Sequence, residues 1–330
     1  MRTTTLGPDG PDVGVIGLGC VGMSFSYDQA TPRDEATLIS VIHQALDLGM
    51  TLLDTADVYG PFTNEALLGR ALKSRRDQAV LATKVGALTR DAQGNPVMGL
   101  NNRPEHIRRS IDESLRRLGT DHVDLYYLHR TDPQVPIEES VGALAETVAA
   151  GKARAIGLSE VSVEQIQRAQ SVHPITAVQS ELSLWTRDWM TEVLPYCQEQ
   201  DIAFVPYSPL GKGFLTGRFS AHDDLPEDDF RRGLALPQPS AGGTPIQQEA
   251  LSTNLAIAER VRKIAERVEA TPAQAAPAWV LAQGEYVVPI PGTKTPKYLA
   301  DNAGAADVEL SAADLAELDA LPVPTGGRYF

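Results

Sequence analysis

The chain has 330 residues, 42% of them hydrophobic and 22% charged, an ordinary globular composition with enough apolar material for a large packed core. Its 29 basic and 43 acidic residues leave a net charge of −14, which argues against nucleic acid or an anionic membrane as partner and requires any anionic ligand to sit in a local positive pocket. The N-terminal MRTTTLGPDG lacks an apolar signal core and no run reaches the roughly 18 apolar residues of a membrane span, so a cytoplasmic protein without a membrane partner is expected.

The apolar run DVGVIG opens the series of elements, followed by Gly17, Gly19 and Gly22 in G-x-G-x-x-G spacing. A dinucleotide-binding Rossmann turn passes straight from strand into helix, so that the pyrophosphate meets the helix N-terminus. Here MSFSYDQATPRD intervenes and the next helix begins only near Pro32, so the glycines belong to a strand-end loop, where they let the backbone approach a ligand closely. That helix is expected to have Thr31 as N-cap, Pro32 at its first position, Gly49 at its end, and Ala36, Ile39, Ile42, His43 and Leu46 along one face.

From there strand and helix alternate. MTLLDT leads to NEALLGRALKS, AVLATKV to PEHIRRSIDESLRRLG, VDLYYLH to IEESVGALAETVAAG, ARAIGLS to SVEQIQRAQ, and ITAVQSE to a helix near 187–200. IAFVPYS precedes a long irregular stretch and then LAIAERVRKIAERVEA, while YVVPIPG precedes TPKYLADNAG. Seven such strands, with DVGVIG as the eighth, point to a single α/β domain over residues 1–330, a (β/α)8 TIM barrel; an open doubly wound sheet is the alternative. Residues about 218–250, rich in Pro, Gly and Asp, read as a flexible loop, either a lid or an unstructured insertion. Two helices outside the repeat are expected around 272–283 and 311–320.

In such a barrel the active site lies at the C-terminal strand ends. Asp54 closes TLLDT, Tyr59 follows it in DTADVYG, Lys84 closes VLATK and His129 closes YYLH. Each has a plain reading by itself: a loop cap, a packed aromatic, a snorkelling lysine, a core histidine. Together they resist it, because charges at the inner ends of apolar strands are costly unless paired, and Asp54 and Lys84 on neighbouring strands can pair. An ammonium beside a phenol lowers the phenol's pKa, so Lys84 is expected to make Tyr59 a stronger acid, with Asp54 fixing Lys84 and His129 orienting a carbonyl oxygen. No residue supplies hydride, which implies a nicotinamide cofactor. Cys20 and Cys197 form no C-x-x-C pair and read as buried, inert thiols; the six histidines show no metal-ligand spacing, so no metal is expected.

With GLGCVGMS, LLDTADVYG, ATKVG, YYLHR, GLSE, QSELSLW, YSPLGKGFLTG and IPGTK in this order, the sequence resembles the aldo-keto reductases over nearly its whole length. The resemblance is to the branch that carries YSPLG-x-GFLTG and IPGTK. It implies a TIM barrel that binds NADPH without a Rossmann fold and reduces a small-molecule aldehyde or ketone. Asp54, Tyr59, Lys84 and His129 would be the catalytic tetrad, Tyr59 the acid. Ser159 and Gln179 would bond the carboxamide, and Tyr207 would stack on the nicotinamide. Glu160 stands where many relatives carry Asn, and an ionised Glu accepts but cannot donate. Ser208, Leu210, Gly211 and Gly213 would wrap the pyrophosphate.

The segment with Gly292, Thr293 and Lys294 would form the adenosine end, with Asn302 on adenine. Many relatives have a lysine and a later arginine where Gly292 and Tyr298 stand. Lys294, joined by Lys297, would meet a 2′-phosphate and favour NADPH over NADH; the plain reading of Lys294 is a solvated loop lysine. Tyr27, Val58, Trp185, Phe214 and Phe230 read as an apolar pocket for an apolar or aromatic carbonyl, or equally as packing at the barrel mouth. Two other functions fit the same barrel: a Schiff-base aldolase using Lys84, and a cofactor-binding regulatory protein like the potassium-channel β-subunits. Oligomeric state is not legible.

Overall fold

A computed structural model of the chain describes residues 1–8, 10–24, 34–90, 96–219 and 248–322. Tyr27, Thr31, Pro32, Phe230 and nearly all of the expected loop lie outside these residues. The parallel sheet is built from β3 (Leu18–Gly19), β4 (Leu52–Asp54), β5 (Val80–Val85), β8 (Val123–Leu128), β9 (Ala153–Ser159), β10 (Ala177–Gln179) and β11 (Ala203–Phe204), paired in that order. The helices between them are α1 (Glu35–Asp47), α2 (Thr63–Leu72), α3 (Pro104–Leu118), α4 (Ile137–Ala149), α5 (Val163–Gln170) and α6 (Val193–Glu199). After β11 come α7 (Gln248–Arg267), α8 (Pro272–Leu281), α9 (Pro296–Gly304) and α10 (Ala312–Asp319). A hairpin of β6 (Ala87–Arg90) and β7 (Pro96–Leu100) follows β5. The architecture is the (β/α)8 barrel.

The strands carry the alternation that a barrel demands. Leu52, Ala82, Leu125, Tyr127, Ala177, Ala203 and Val205 form an inner cluster. Leu53, Leu81, Tyr126, Leu128, Val178 and Phe204, their sequence neighbours, join the outer layer under the helices. The inner cluster also contains Leu6 and Val13 from β1 (Thr3–Thr5) and β2 (Asp12–Gly14), an antiparallel hairpin.

Two expectations are corrected here. DVGVIG is not a barrel strand: its first half is β2, paired antiparallel with β1, and the barrel strand is the later Leu18–Gly19. YVVPIPG is not a regular strand either, yet it closes the barrel. Val288 and Ile290 donate to Phe204 and Pro206 on one side, at 2.9 and 3.0 Å; Pro289 and Pro291 accept from Gly17 and Gly19 on the other, at 3.0 and 3.4 Å. Proline at every second position removes the donors that would face β3, leaving a one-way seam. Gly17 and Gly19 serve this seam: an added Cβ would lie 2.9 Å from Ile290 Cγ2 or 2.7 Å from Ile290 O. Their close approach is to the closing segment of the chain itself.

The first helix starts later than expected. Asp34, not Thr31, is the N-cap, accepting from Thr37 N at 2.9 Å and Thr37 Oγ1 at 2.6 Å. Its buried face is Leu38, Val41, Ile42, Ala45 and Leu46; Ala36 is exposed and Ile39 and His43 are half-buried. The helix near 187–200 divides into a 3-10 turn, Asp188–Met190, and α6. Among the described residues no helix is long and apolar enough to cross a membrane, and no group of three or more His, Cys, Asp or Glu is placed to hold a metal.

Candidate active site

Period-two alternation sets the site. Two residues beyond the inner Leu52, Ala82 and Tyr127 stand Asp54, Lys84 and His129; the same step from Gly157, Ala177 and Val205 reaches Ser159, Gln179 and Tyr207. Successive parallel strands thus bring polar groups to one rim.

Lys84 is fully buried and Asp54 is 3% exposed. Lys84 Nζ lies 2.5 Å from Asp54 Oδ1, 2.8 Å from the Thr55 carbonyl and 3.4 Å from Tyr59 Oη, with the Tyr59 ring centroid at 5.0 Å. Tyr59 is half-buried, on a loop pinned by Tyr59 N to Ala56 O and Asn64 N to Tyr59 O, both 3.2 Å. The His129 ring meets Tyr59 edge-on, 5.8 Å between centroids and 82° between planes. All four expected residues therefore come together.

The electrostatics differ from expectation at Tyr59. Burial is the largest influence and raises its pKa above the usual tyrosine value; Lys84 pulls it down and Asp54 up. The ammonium acts in the expected direction but is outweighed, so the phenol keeps its proton. For Lys84, burial pulls down, but Asp54 and then Tyr59 outweigh it and hold the ammonium above the usual lysine range. Burial, then Lys84 and Arg130, keep His129 well below the usual histidine range and hence neutral. Its Nδ1 finds no hydrogen-bond partner among the described residues.

Several supporting contacts carried no sequence signal. Gln179 Nε2 donates to Asp54 Oδ2 at 2.8 Å, so the amide expected to meet a carboxamide also braces the tetrad carboxylate. Arg130 Nη1 donates to His129 O at 2.6 Å and to Ser159 Oγ at 3.0 Å, tying the two strand ends together. Asn64, on α2, donates to Cys20 O at 2.9 Å and accepts from Thr55 Oγ1 at 2.7 Å. Glu65 accepts from Thr83 Oγ1 at 2.7 Å and Arg117 Nε at 2.6 Å. The start of α2 thus holds the strand ends bearing Asp54 and Lys84. The TNE sequence at a helix start was a signal, since such residues favour first-turn positions, but not one that names their partners.

The thiols are as expected: both are buried, which raises the pKa of Cys20 and pushes that of Cys197 up to about 12.

Around the rim, Glu160 has a left-handed backbone, φ 55°, and its Oε1 accepts from Glu181 N at 2.9 Å. Ser208, Gly211 and Gly213 are also left-handed, at 52°, 55° and 93°, and bend the chain through Leu210 into a tight coil. Gly292 bridges Gly19 backbone to backbone, a place where a Cβ would come 2.9 Å from Gly19 O. Thr293 Oγ1 accepts from Thr295 N at 3.1 Å just before α9, where Pro296 takes the first position. Lys294 is half-buried and Lys297 exposed. Asn302, on α9, is 2% exposed, and its Nδ2 lacks a partner among the described residues. Arg218 comes within 5.7 Å of the Tyr298 ring, a third cation beside Lys294 and Lys297 and one without a sequence signal. Of the expected pocket residues, Phe214 is 3% exposed, stacked on Trp185 at 5.4 Å, and Val58 is 9% exposed; for these the packing reading holds.

Barrel and rim together define an oxidoreductase-type acid–base site at the C-terminal strand ends. The Aldo/keto reductase family model matches residues 15–322, and the chain belongs to that family. It is 46% identical over 334 residues to "Probable aldo-keto reductase 1" of Glycine max, spanning 100% of this chain and 92% of the relative. The solved glycerol dehydrogenase of Gluconobacter oxydans superposes with a TM-score of 0.83 at 29% identity, covering 96% of this chain and 94% of that one. An aldo/keto reductase of Klebsiella pneumoniae, in complex with NADP and acetate, gives 0.73 at 26%, covering 99% and 98%.

Proposed function

We propose that this protein is a carbonyl reductase that uses NADPH to convert aldehydes or ketones to alcohols, with Tyr59 as proton donor. The observation that carries the reading is the buried chain of contacts from Gln179 to Asp54, Lys84 and the Tyr59 hydroxyl at the barrel mouth. The residues fit the cofactor: the Asn302 amide is a buried donor without a partner among the described residues, next to a segment supplying Lys294 and Lys297, and the Klebsiella relative was solved with NADP. Ser159, Glu160 and Gln179 would hold the carboxamide, and Tyr207 would stack on the nicotinamide. Ser208, Leu210, Gly211 and Gly213 would wrap the pyrophosphate; Gly292, Thr293, Lys294 and Asn302 would hold the adenosine end.

When bound, NADPH supplies hydride to the carbonyl carbon. Negative charge then grows on the carbonyl oxygen, and the Tyr59 hydroxyl transfers its proton there. Lys84 stabilises the phenolate left behind, and Asp54 holds Lys84 in place. Neutral His129 donates a hydrogen bond to the same oxygen without competing for the proton. A Schiff-base role for Lys84 is disfavoured, because an amine held charged by Asp54 and bonded to a buried carbonyl is a poor nucleophile.

Screening carbonyls and alcohols while following NADPH absorbance tests the reading. Consumption of NADPH with at least one apolar or aromatic aldehyde is expected. Binding of NADPH with no turnover on any carbonyl would point instead to a regulatory cofactor binder.

A further inference from the structure

Tyr59 sits in a loop that closes on an unfavourable backbone state. Phe62 has φ 68° and ψ −16°, a left-handed conformation that glycine enters freely and a bulky aromatic does not. Its N–H closes the loop by donating to Asp57 O at 2.8 Å, and the next turn reaches back to Tyr59. The group that holds the Phe62 ring comes from another helix: the Arg117 guanidinium of α3 lies 4.7 Å from the ring centroid. The same guanidinium is tied to Glu65, their side chains being 14% and 0% exposed, and it also donates to Ser114 Oγ at 3.1 Å. The other Glu65 oxygen accepts from Thr83, the residue before Lys84. α2 and α3 touch backbone to backbone at Gly69, where a Cβ would come 2.6 Å from Arg117 O, which brings Arg117 within reach of both contacts. Asp57 starts the loop and is buried; burial and then Glu65 hold its carboxyl well above the usual carboxylate range, so it is neutral and Glu65 is the anion that Arg117 meets. One side chain on α3 therefore grips both the loop bearing Tyr59 and the strand end bearing Lys84.

We infer that Arg117 is a positioning residue for proton transfer: by gripping Phe62 and Glu65 together it fixes the Tyr59 hydroxyl against the Lys84 ammonium. It acts through these two residues and touches no reacting atom, and its role rests on Tyr59 as the proton donor proposed above.

The test is the single-turnover rate of 4-nitrobenzaldehyde reduction, followed by NADPH absorbance in stopped flow across pH, with NADPH affinity and Tm measured on the same preparations. The variants are Phe62→Leu, Phe62→Tyr and the double variant Glu65→Gln with Arg117→Met, which leaves no unpaired buried charge. The double variant and Phe62→Leu are expected to react roughly tenfold slower, with NADPH affinity within about twofold of wild type. Tyr59 faces Lys84 on β5, Asp54 on β4, and Arg130 and neutral His129 beyond β8. Moving its ring changes both its burial and its distance from Lys84, so the alkaline limb should shift by about half a pH unit or more. Phe62→Tyr keeps an aromatic face for Arg117 and is expected to stay within about twofold of wild type. Adding Phe62→Leu to the double variant should cost little further rate, since both break one grip. If the double variant does not fold, Phe62→Leu, at a side chain 43% exposed, carries the test. Phe62→Leu with the rate and alkaline limb of wild type, whatever its Tm, would overturn the inference and leave Arg117 and Glu65 as structural charge balance. Wild type that binds NADPH but reduces no aldehyde would overturn the role of Tyr59 and this inference with it.

Discussion

Lys84 is asked to stay charged where no water reaches it, and it does so because Asp54, the Thr55 carbonyl and the Tyr59 hydroxyl surround its ammonium. Breaking a buried pair by removing one partner costs about 3–5 kcal/mol, so Lys84→Met is expected to lower stability as well as activity. Its diagnostic effect is on pH. Reduction needs the protonated phenol and fails as pH rises through the Tyr59 pKa, which burial already holds above the usual tyrosine value. Removing the cation takes away a lowering influence, so the alkaline limb of kcat should move further up while kcat falls by roughly 10²-fold or more. An alkaline limb unmoved by Lys84→Met would contradict the pairing. On the acid side, depression of the His129 pKa predicts kcat without an inflection near the usual histidine value; an acid limb there would mean that His129 is protonated in the working enzyme. That Asp54, Tyr59, Lys84 and His129 gather at one rim was legible because polar residues closing apolar strands stand out one strand at a time. The Gln179–Asp54 contact was not, since the partners lie 125 residues apart and only barrel curvature joins them.

Elements were legible where one periodicity dominated. β5, β8 and β9 and the helices α3 and α4 fall within a residue or two of their sequence signals. The start of α1 was misplaced: Thr31 and Pro32 were expected there, but the helix begins at Glu35, with Asp34 capping Thr37 N. The barrel's closing segment was misread for a physical reason. The closing segment has the hydrophobic pattern of a strand but alternating prolines, so half of its ladder cannot form. Gly17 and Gly19 serve this seam. Gly19→Ala would drive a Cβ to 2.7 Å from Ile290 O and is expected to destabilise the protein by about 1–3 kcal/mol. Denaturant unfolding measures it, and an unchanged midpoint would mean that the seam tolerates more room than its geometry shows.

At the scale of the whole molecule, a net charge of −14 repels a polyanionic cofactor, so local cations at the proposed adenosine end must outweigh the global field. Lys294→Ala is accordingly expected to raise KM for NADPH by about tenfold, against little change for NADH. An equal rise for both would remove Lys294 from 2′-phosphate recognition. The (β/α)8 class was legible because repeated strand–helix units leave few ways to bury their apolar faces. Hidden from sequence were the contacts that closure creates, among them Arg130 with Ser159 and Lys212 with Glu181. The central claim is that this barrel rim transfers a proton from Tyr59 to a carbonyl oxygen. Its most direct test is Tyr59→Phe, with NADPH binding and NADPH-dependent aldehyde reduction measured on the same preparation. Binding within about twofold of wild type, with kcat lower by roughly 10³-fold or more, is the predicted result; retained turnover would contradict it.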